Sequence, residues 1–533
     1  MKRFFKYCLL AVPTMFAGCS EDFLDRAPGD ALSPATFWKT EADADLALTG
    51  CYNQLETPYG TGDMWYWDCT TDNQYNYHIH EGWRIIGNGS MGASDGNIAD
   101  YFNFLDIRTF NEYLAKENTI EFSSEAKRNQ YRAEVRVLRA MEYFWKVNCY
   151  GDFPFTEEVF ATIEESMIPR TDKNVILDFV KKELKECIDA LPDTAPVGRL
   201  TKSAAQAYLT RVYLITGDYL NAAAMAKTIM DEGKYSMPDL TYEESFYQKN
   251  QHNEEVIFSV EYNMAGNYAN WFGYVLSNGY GGWSSLVPTQ MLVDAYEMAD
   301  GQTIEESADY NPENPYVGRD PRLRATILYP GQAYGIYEKE GFPSVIPGSG
   351  DYGPDADNCT KTGYNFKKFH SVDELEDMWE SEHSFPVLRY AEVLLSYAEA
   401  KIEQNQIDAS VYDAIDQVRE RAGMPKVNQA KYNNQATLRE LVRRERRVEF
   451  ANEGLRRMDI IRWGIANDVM NKPIERVTGE ILKTVNKDGD FDVKITGSVL
   501  EENRTFTVGK NEVLPIPQSA IDANPNLKQN PGY

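Results

Sequence analysis

The sequence predicts a mainly α-helical protein built from tetratricopeptide-like helical pairs, with loop-rich insertions and minor β hairpins. Three observations carry this prediction. Apolar residues recur at helical spacing over about 101–149, 174–190 and 204–233. The last of these stretches interleaves alanines with tyrosines, so that small residues let two helices approach and the larger rings fill the groove. Two long stretches, about 56–100 and 240–385, lose the periodicity and fill with Gly, Asn, Pro and aromatic residues. Loops of that length in a compact protein are usually functional.

Taken in order, the chain opens on Lys2, Arg3 and Lys6, followed by an apolar stretch from Tyr7 to Ala17. That stretch is too short to span ~30 Å of hydrocarbon and has the length of an export signal. It ends in Phe16-Ala17-Gly18-Cys19, small residues followed by a thiol. Residues 1–18 therefore read as a lipoprotein signal, and Cys19 as the residue that receives acyl chains after cleavage. An ordinary secretory signal with a chance cysteine is the alternative. Residues 19–35 are polar and hold Pro and Gly, as a tether would, and 36–533 form the body.

Within the body, Ala42, Leu46, Leu48 and Tyr52 begin a first helix. Over 132–145, Val135, Leu138, Met141 and Trp145 share one helical face, and Arg132, Arg136 and Arg139 another. Thr201 is placed to cap a helix that runs to a turn at Gly217-Asp218, and a second helix follows from Tyr219. Comparable pairs are expected at 387–404 with 411–421, and at 435–466. No unbroken 34-residue period links them, so pairs with long insertions fit better than a regular superhelix. Val256–Val260 reads as a short buried strand and 475–510 as a small hairpin, and the proline-laden tail from Leu514 must lie extended on the body.

Composition narrows the function. Losing three basic residues with the signal takes the net charge from −28 to −31, a surface that repels nucleic acid. The five remaining cysteines are odd in number and irregularly spaced, which is not a disulfide framework; Cys51 and Cys69 are the nearest candidates for one pair. There is no CxxC and no metal or cofactor motif, so none is assigned. No GxSxG, HExxH or P-loop appears, and the five histidines show no triad logic, so the chain does not read as an enzyme. His78 and His80 fall in an aromatic loop. The acidic segment Asp351 to Asn358 lacks the EF-hand pattern and reads as a solvated turn. In the Arg/Glu helix at 439–449, Glu440/Arg444 and Arg443/Arg447 stand four apart, a spacing that allows charge ladders along the helix.

With these segments laid out, the chain resembles the SusD/RagB lipoproteins of the Bacteroidetes. The resemblance is carried by Cys19-Ser-Glu-Asp-Phe-Leu-Asp25, Phe37-Trp38, Gly50-Cys-Tyr52, Glu134-Val-Arg136 through Phe144, and Tyr150-Gly-Asp-Phe-Pro154. Further pieces are Lys202-Ser-Ala-Ala205, Arg389-Tyr-Ala-Glu392, Val418 to Gly423, Glu445-Arg-Arg447, Gly454-Leu-Arg456, Asp459 to Trp463 and the tail. No single piece is specific, but their number, order and spacing are. The resemblance implies helical pairs carrying a loop-rich ligand face, and an outer-membrane anchor with the body facing outward. It implies a SusC-like TonB-dependent β-barrel transporter as partner. The implied ligand is an oligosaccharide or, in the RagB branch, a peptide; a third reading is a cap that only stabilises the transporter. Glu21 and Asp22 fit the acidic surface-export signal that follows the cysteine in such proteins.

A sugar site needs flat apolar faces for C–H surfaces and polar groups for hydroxyls. The window 65–84 offers Trp65, Trp67, Asp72, Asn73, Tyr75, Tyr77, Trp83 and Arg84. The window 268–283 offers Trp271, Tyr280 and Trp283, with Tyr268 and Tyr274 beside them. Five of the nine tryptophans fall in these two windows, outside helical periodicity, which favours glycan over peptide. Loop tryptophans also serve as core plugs beneath long loops. Trp38 and Trp379 read as structural.

Overall fold

The fold follows from how the periodic segments bury their stripes. The computed structural model describes residues 37–56, 61–96, 101–265, 268–371 and 378–533, without the side chains at 56, 61–63 and 65. The signal, Cys19 and the tether therefore lie outside the described residues. Thr40 starts helix α1 (Glu41–Tyr52) with a capping box: its hydroxyl accepts from the Asp43 amide, and the Asp43 carboxylate accepts from the Thr40 amide at 2.8 Å. Helix α2 (Glu125–Tyr150) is the central element. Its apolar stripe of Val135, Leu138, Met141 and Trp145 is buried as predicted. The arginine face is partly covered, with Arg139 buried and Arg132 and Arg136 part-exposed. Helix α3 (Lys173–Cys187) packs on it, and Arg139 and Arg136 pair with the buried Glu183 at 2.8 and 2.5 Å.

The predicted pair at 204–233 is α4 (Lys202–Ile215) and α5 (Tyr219–Glu232). The Thr201 hydroxyl accepts from the Ala204 amide at 3.2 Å, the cap the sequence placed there. Gly217 turns the chain at φ +74°, a left-handed conformation that costs a glycine little. Ala204, Ala205, Ala222 and Ala226 are wholly buried, which lets the two backbones approach. Helix α6 (Tyr390–Glu403) packs against α5, and then against α7 (Ala409–Arg421) and α8 (Gln435–Glu449). A short helix α9 (Arg456–Arg462) follows.

The sheets are small. Strand β2 (Val256–Val260) pairs antiparallel with β4 (Phe385–Arg389), bracketing the second insertion. Near it, β1 (Gln74–Asn76) pairs with β3 (Leu286–Pro288), in the register Tyr75 opposite Val287. The predicted hairpin spans β5 (Ile474–Val485) and β6 (Phe491–Glu502), ending short of the expected 510. The tail lies on the body: the Leu514 amide donates to Cys149 O at 2.7 Å, and Asn530 donates to Tyr150 O at 2.9 Å. All five described cysteines are free buried thiols, so Cys51 and Cys69 are not a pair.

The charged helix α8 departs from the spacing argument. Its ion pairs run across the molecule, not along the helix. Arg444 reaches Glu297 at 2.6 Å and Arg447 reaches Asp72 at 2.9 Å, while Glu440 is exposed. Glu445 and Glu449 meet the fully buried Arg322 at 2.6 and 3.2 Å, and Glu449 also meets Arg389 and Arg421. Burial pushes the Glu449 carboxyl up, but Arg421, Arg389 and Arg322 outweigh it and bring it to about 2. A carboxylate so surrounded stays charged, and removing one arginine would leave a buried charge uncompensated.

Candidate functional site

The pairing of β1 with β3 brings the two aromatic windows together. From the core outward, Trp145 meets Trp67 edge-on at 5.2 Å, and Trp67 meets Trp83 at 5.1 Å. Trp83 stacks on Tyr66 at 5.2 Å with the planes 9° apart, and Tyr66 meets Tyr274 at 5.7 Å. Tyr274 then stands edge-on to both Trp283 (5.4 Å) and Trp379 (5.6 Å), which lie 4.5 Å from each other. A continuous line of rings thus runs from helix α2 to the surface, and its outer end is the candidate site. Trp283 is 36% exposed, and Tyr66, Tyr274 and Trp379 are part-exposed.

Local backbone geometry sets that outer end. The segment after the short helix Phe272–Val275 folds back on itself, with the Trp283 amide donating to Gly273 O and the Ser285 amide to Tyr274 O, both at 2.8 Å. The Trp379 ring lies flat against the backbone at Gly273, where a Cβ would come within 2.3 Å of the indole. Only a glycine lets that ring approach. The two indoles are tilted by 55°, so they form a shallow angled wall, not a single plane.

Of the residues singled out from sequence, the structure holds several inside. Trp67 and Trp83 are 1% and 2% exposed, their surroundings taken by other rings. Trp271 is 2% exposed, stacked on Phe272 at 4.2 Å and edge-on to Phe369. Tyr75 is buried against Val287 and Ile474. Asp72 and Asn73 are buried and committed: Arg456 and Arg447 bind the Asp72 carboxylate at 2.8 and 2.9 Å, and Arg447 donates to Asn73 Oδ1 at 2.8 Å. Burial alone would raise the Asp72 carboxyl, yet the two guanidinium groups hold it well below the usual carboxylate range. For these six the expectation of direct contact is corrected: a buried ring or an ion-paired carboxylate offers no free face to a ligand. Of the six, Trp67 and Trp83 stand behind the wall in the line of rings.

The others remain at the surface or half-buried. Tyr77 has Lys361 at 4.4 Å and Arg84 at 5.2 Å over its ring, and Arg84 pairs with Glu502 at 2.9 Å. Tyr280 belongs to a separate cluster with Tyr337 and His370. The Trp65 side chain lies outside the described residues. Trp379, read as structural from sequence, is in the wall. The only signal for it was the glycine between two aromatic residues at 272–274, which marks a close approach without naming what approaches.

The fold and this corner define a class: a helical-pair scaffold presenting part-exposed aromatic rings on a loop-rich face. Residues 246–533 match the model of the SusD family, and 22–214 match one described as starch-binding associating with outer membrane. The chain belongs to the SusD family. It is 25% identical, over its full length and 99% of the other's, to a SusD-like protein of Bacteroides ovatus. It is also 25% identical to the starch-binding protein SusD of Bacteroides thetaiotaomicron, covering 80% of this chain and 77% of that one. The crystal structure of a SusD-like carbohydrate binding protein from Bacteroides fragilis superposes with a TM-score of 0.79 at 29% identity, covering 92% of this chain and all of that one.

Proposed function

We propose that this protein captures an oligosaccharide at the Trp283/Trp379/Tyr274 corner and delivers it to a SusC-like TonB-dependent transporter in the outer membrane. The observation that carries the reading is the line of rings that ends in two part-exposed indoles. Indole faces stack on the C–H surfaces of sugar rings, and the buried rings behind them fix their positions, so little side-chain freedom is lost on binding. The starch-binding description of its relative supports a glucan as a first candidate. The protein acts by binding, not by catalysis.

Acyl chains on Cys19 anchor the body, and a tether of about 15 residues reaches roughly 50 Å when extended. That length keeps the body beside a transporter while allowing it to swing. The test is calorimetric titration of the soluble body with a panel of oligosaccharides, starch fragments among them, and with peptide mixtures. Binding to one glycan that Trp283→Ala and Trp379→Ala each weaken by roughly thirtyfold is the expected result. Binding to peptides alone would move the protein to the peptide-uptake branch. Protease shaving of intact cells tests the outward orientation, since a fully protected body would place it on the periplasmic side.

A further inference from the structure

The turn that follows β1 carries chemistry the proposed sugar site does not use. His78, Ile79, His80 and Glu81 form a single tight turn, closed by the Glu81 amide donating to His78 O at 3.2 Å and the Gly82 amide to Ile79 O at 3.1 Å. The turn brings one donor atom from each of His78, His80 and Glu81 within 4.8 Å of the other two. The imidazole rings stand 5.4 Å apart and nearly perpendicular.

Two atoms of this turn are buried without a hydrogen-bond partner in the protein, His78 Nε2 and Glu81 Oε1. An unpaired buried imidazole nitrogen and carboxylate oxygen on the same turn are each costly, and each is relieved by a shared cation. The other Glu81 oxygen accepts from Asn76 Nδ2 at 2.6 Å, and Asn76 also donates to Ser285 O at 3.0 Å. Those bonds orient the carboxylate as the outer partners of a metal ligand do. The cations nearby are already engaged: Lys361 donates to Gly353 O and Ala356 O at 2.6 and 2.7 Å, and Arg84 is paired with Glu502.

We propose that His78, His80 and Glu81 bind a divalent transition metal ion of the zinc class, with a fourth position open to the surface. Two imidazoles and one carboxylate suit such an ion better than calcium or magnesium, which prefer all-oxygen shells. Ligands at ~2.0–2.1 Å from a tetrahedral ion stand about 3.3 Å apart, so the donors close by roughly 1.5 Å at most on binding. His80 is exposed and free to make that movement. The turn follows β1, and Trp283 lies just before its partner strand β3, with the Tyr77 amide donating to Ser285 O between them, so the ion would stiffen the rim of the aromatic corner. The site does not depend on a sugar being bound there.

The experiment uses untagged protein stripped with chelator and titrated with Zn²⁺ by calorimetry, and with Co²⁺ followed by its visible absorption. Expected are one equivalent of tight binding and an intense tetrahedral Co²⁺ spectrum. His80→Ala and Glu81→Gln should each weaken binding by at least the 10–100-fold that losing even an outer partner costs. His80→Ala touches an exposed ring, so its metal-free melting curve should superimpose on that of the unaltered protein. Zn²⁺ should raise the melting temperature of the unaltered protein and not of the variant. Absence of stoichiometric binding, or unchanged affinity in both variants, would overturn the assignment.

Discussion

The windows 65–84 and 268–283 are both rich in Trp and Tyr and have opposite fates. In the first, Trp67 and Trp83 turn inward against Trp145 and Tyr101 and become part of the core. In the second, the chain satisfies its own backbone hydrogen bonds across Gly273–Ser285, and Trp283 is left at the surface. The second window is divided within itself, since Trp271 is buried like a core residue. Aromatic loops therefore mark where a core reaches the surface, and the partner of each ring decides which side of that border it occupies.

The largest expected effect breaks the inner window. Trp83→Ala removes a ring packed on three others and should cost about 3–5 kcal/mol of stability. It is read as a lower denaturation midpoint, with glycan affinity falling only as the folded fraction falls. A variant that keeps its stability and loses binding would move Trp83 to the outer side of the border.

Asp68, between Trp67 and Cys69, gives the same window a pH dependence. Burial raises its carboxyl from the ordinary 3.8 to about 7, against the opposing Asn452 amide and Arg456. The folded value stands above the unfolded one, so between about pH 4 and 7 the folded state holds the extra proton. Stability then falls as pH rises through that window, by about 1.4 kcal/mol per pH unit from this group. Asp68→Asn keeps an acceptor for the Asn452 amide at 2.9 Å and removes the charge. Its stability relative to the unaltered protein should therefore improve steadily from pH 4 to 7 in urea titrations, and a flat difference would show that Asp68 is not the group responsible.

In the outer window, Trp283→Ala should leave the melting temperature nearly unchanged and cost about 2 kcal/mol of glycan affinity, roughly thirtyfold. A large loss of stability with unchanged affinity of the folded fraction would reverse the comparison and make the second window core as well.

Much of the scaffold was legible in the sequence, because helices α2 to α8 announce themselves through local spacing, and the Thr201 cap and Gly217 turn are local too. The expectations that failed depended on distant partners. Asp72 and Asn73 look like sugar-binding residues in an aromatic loop, and nothing near them says that Arg447 and Arg456, almost 400 positions later, take both. The i,i+4 spacing in α8 suggested ladders along the helix, whereas Arg444 and Arg447 spend their charge on Glu297 and Asp72. Pairing of the two windows was equally hidden, since it rests on a three-residue strand, Gln74–Asn76, too short to show alternation.

The smallest effect isolates the one ring of the wall that the sequence did not mark. Gly273→Ala places a Cβ within 2.3 Å of the Trp379 indole, whose side chain is part-exposed and can move away. Because the ring can yield, the stability change should stay below about 1 kcal/mol. The displaced indole would open the 55° angle it makes with Trp283, and a glycan that spans both faces should bind a few-fold more weakly. Combining Gly273→Ala with Trp379→Ala separates the two causes. If the glycine acts only by seating the indole, the double variant should bind no worse than Trp379→Ala alone, and additive losses would mean that the Gly273 backbone touches the ligand itself.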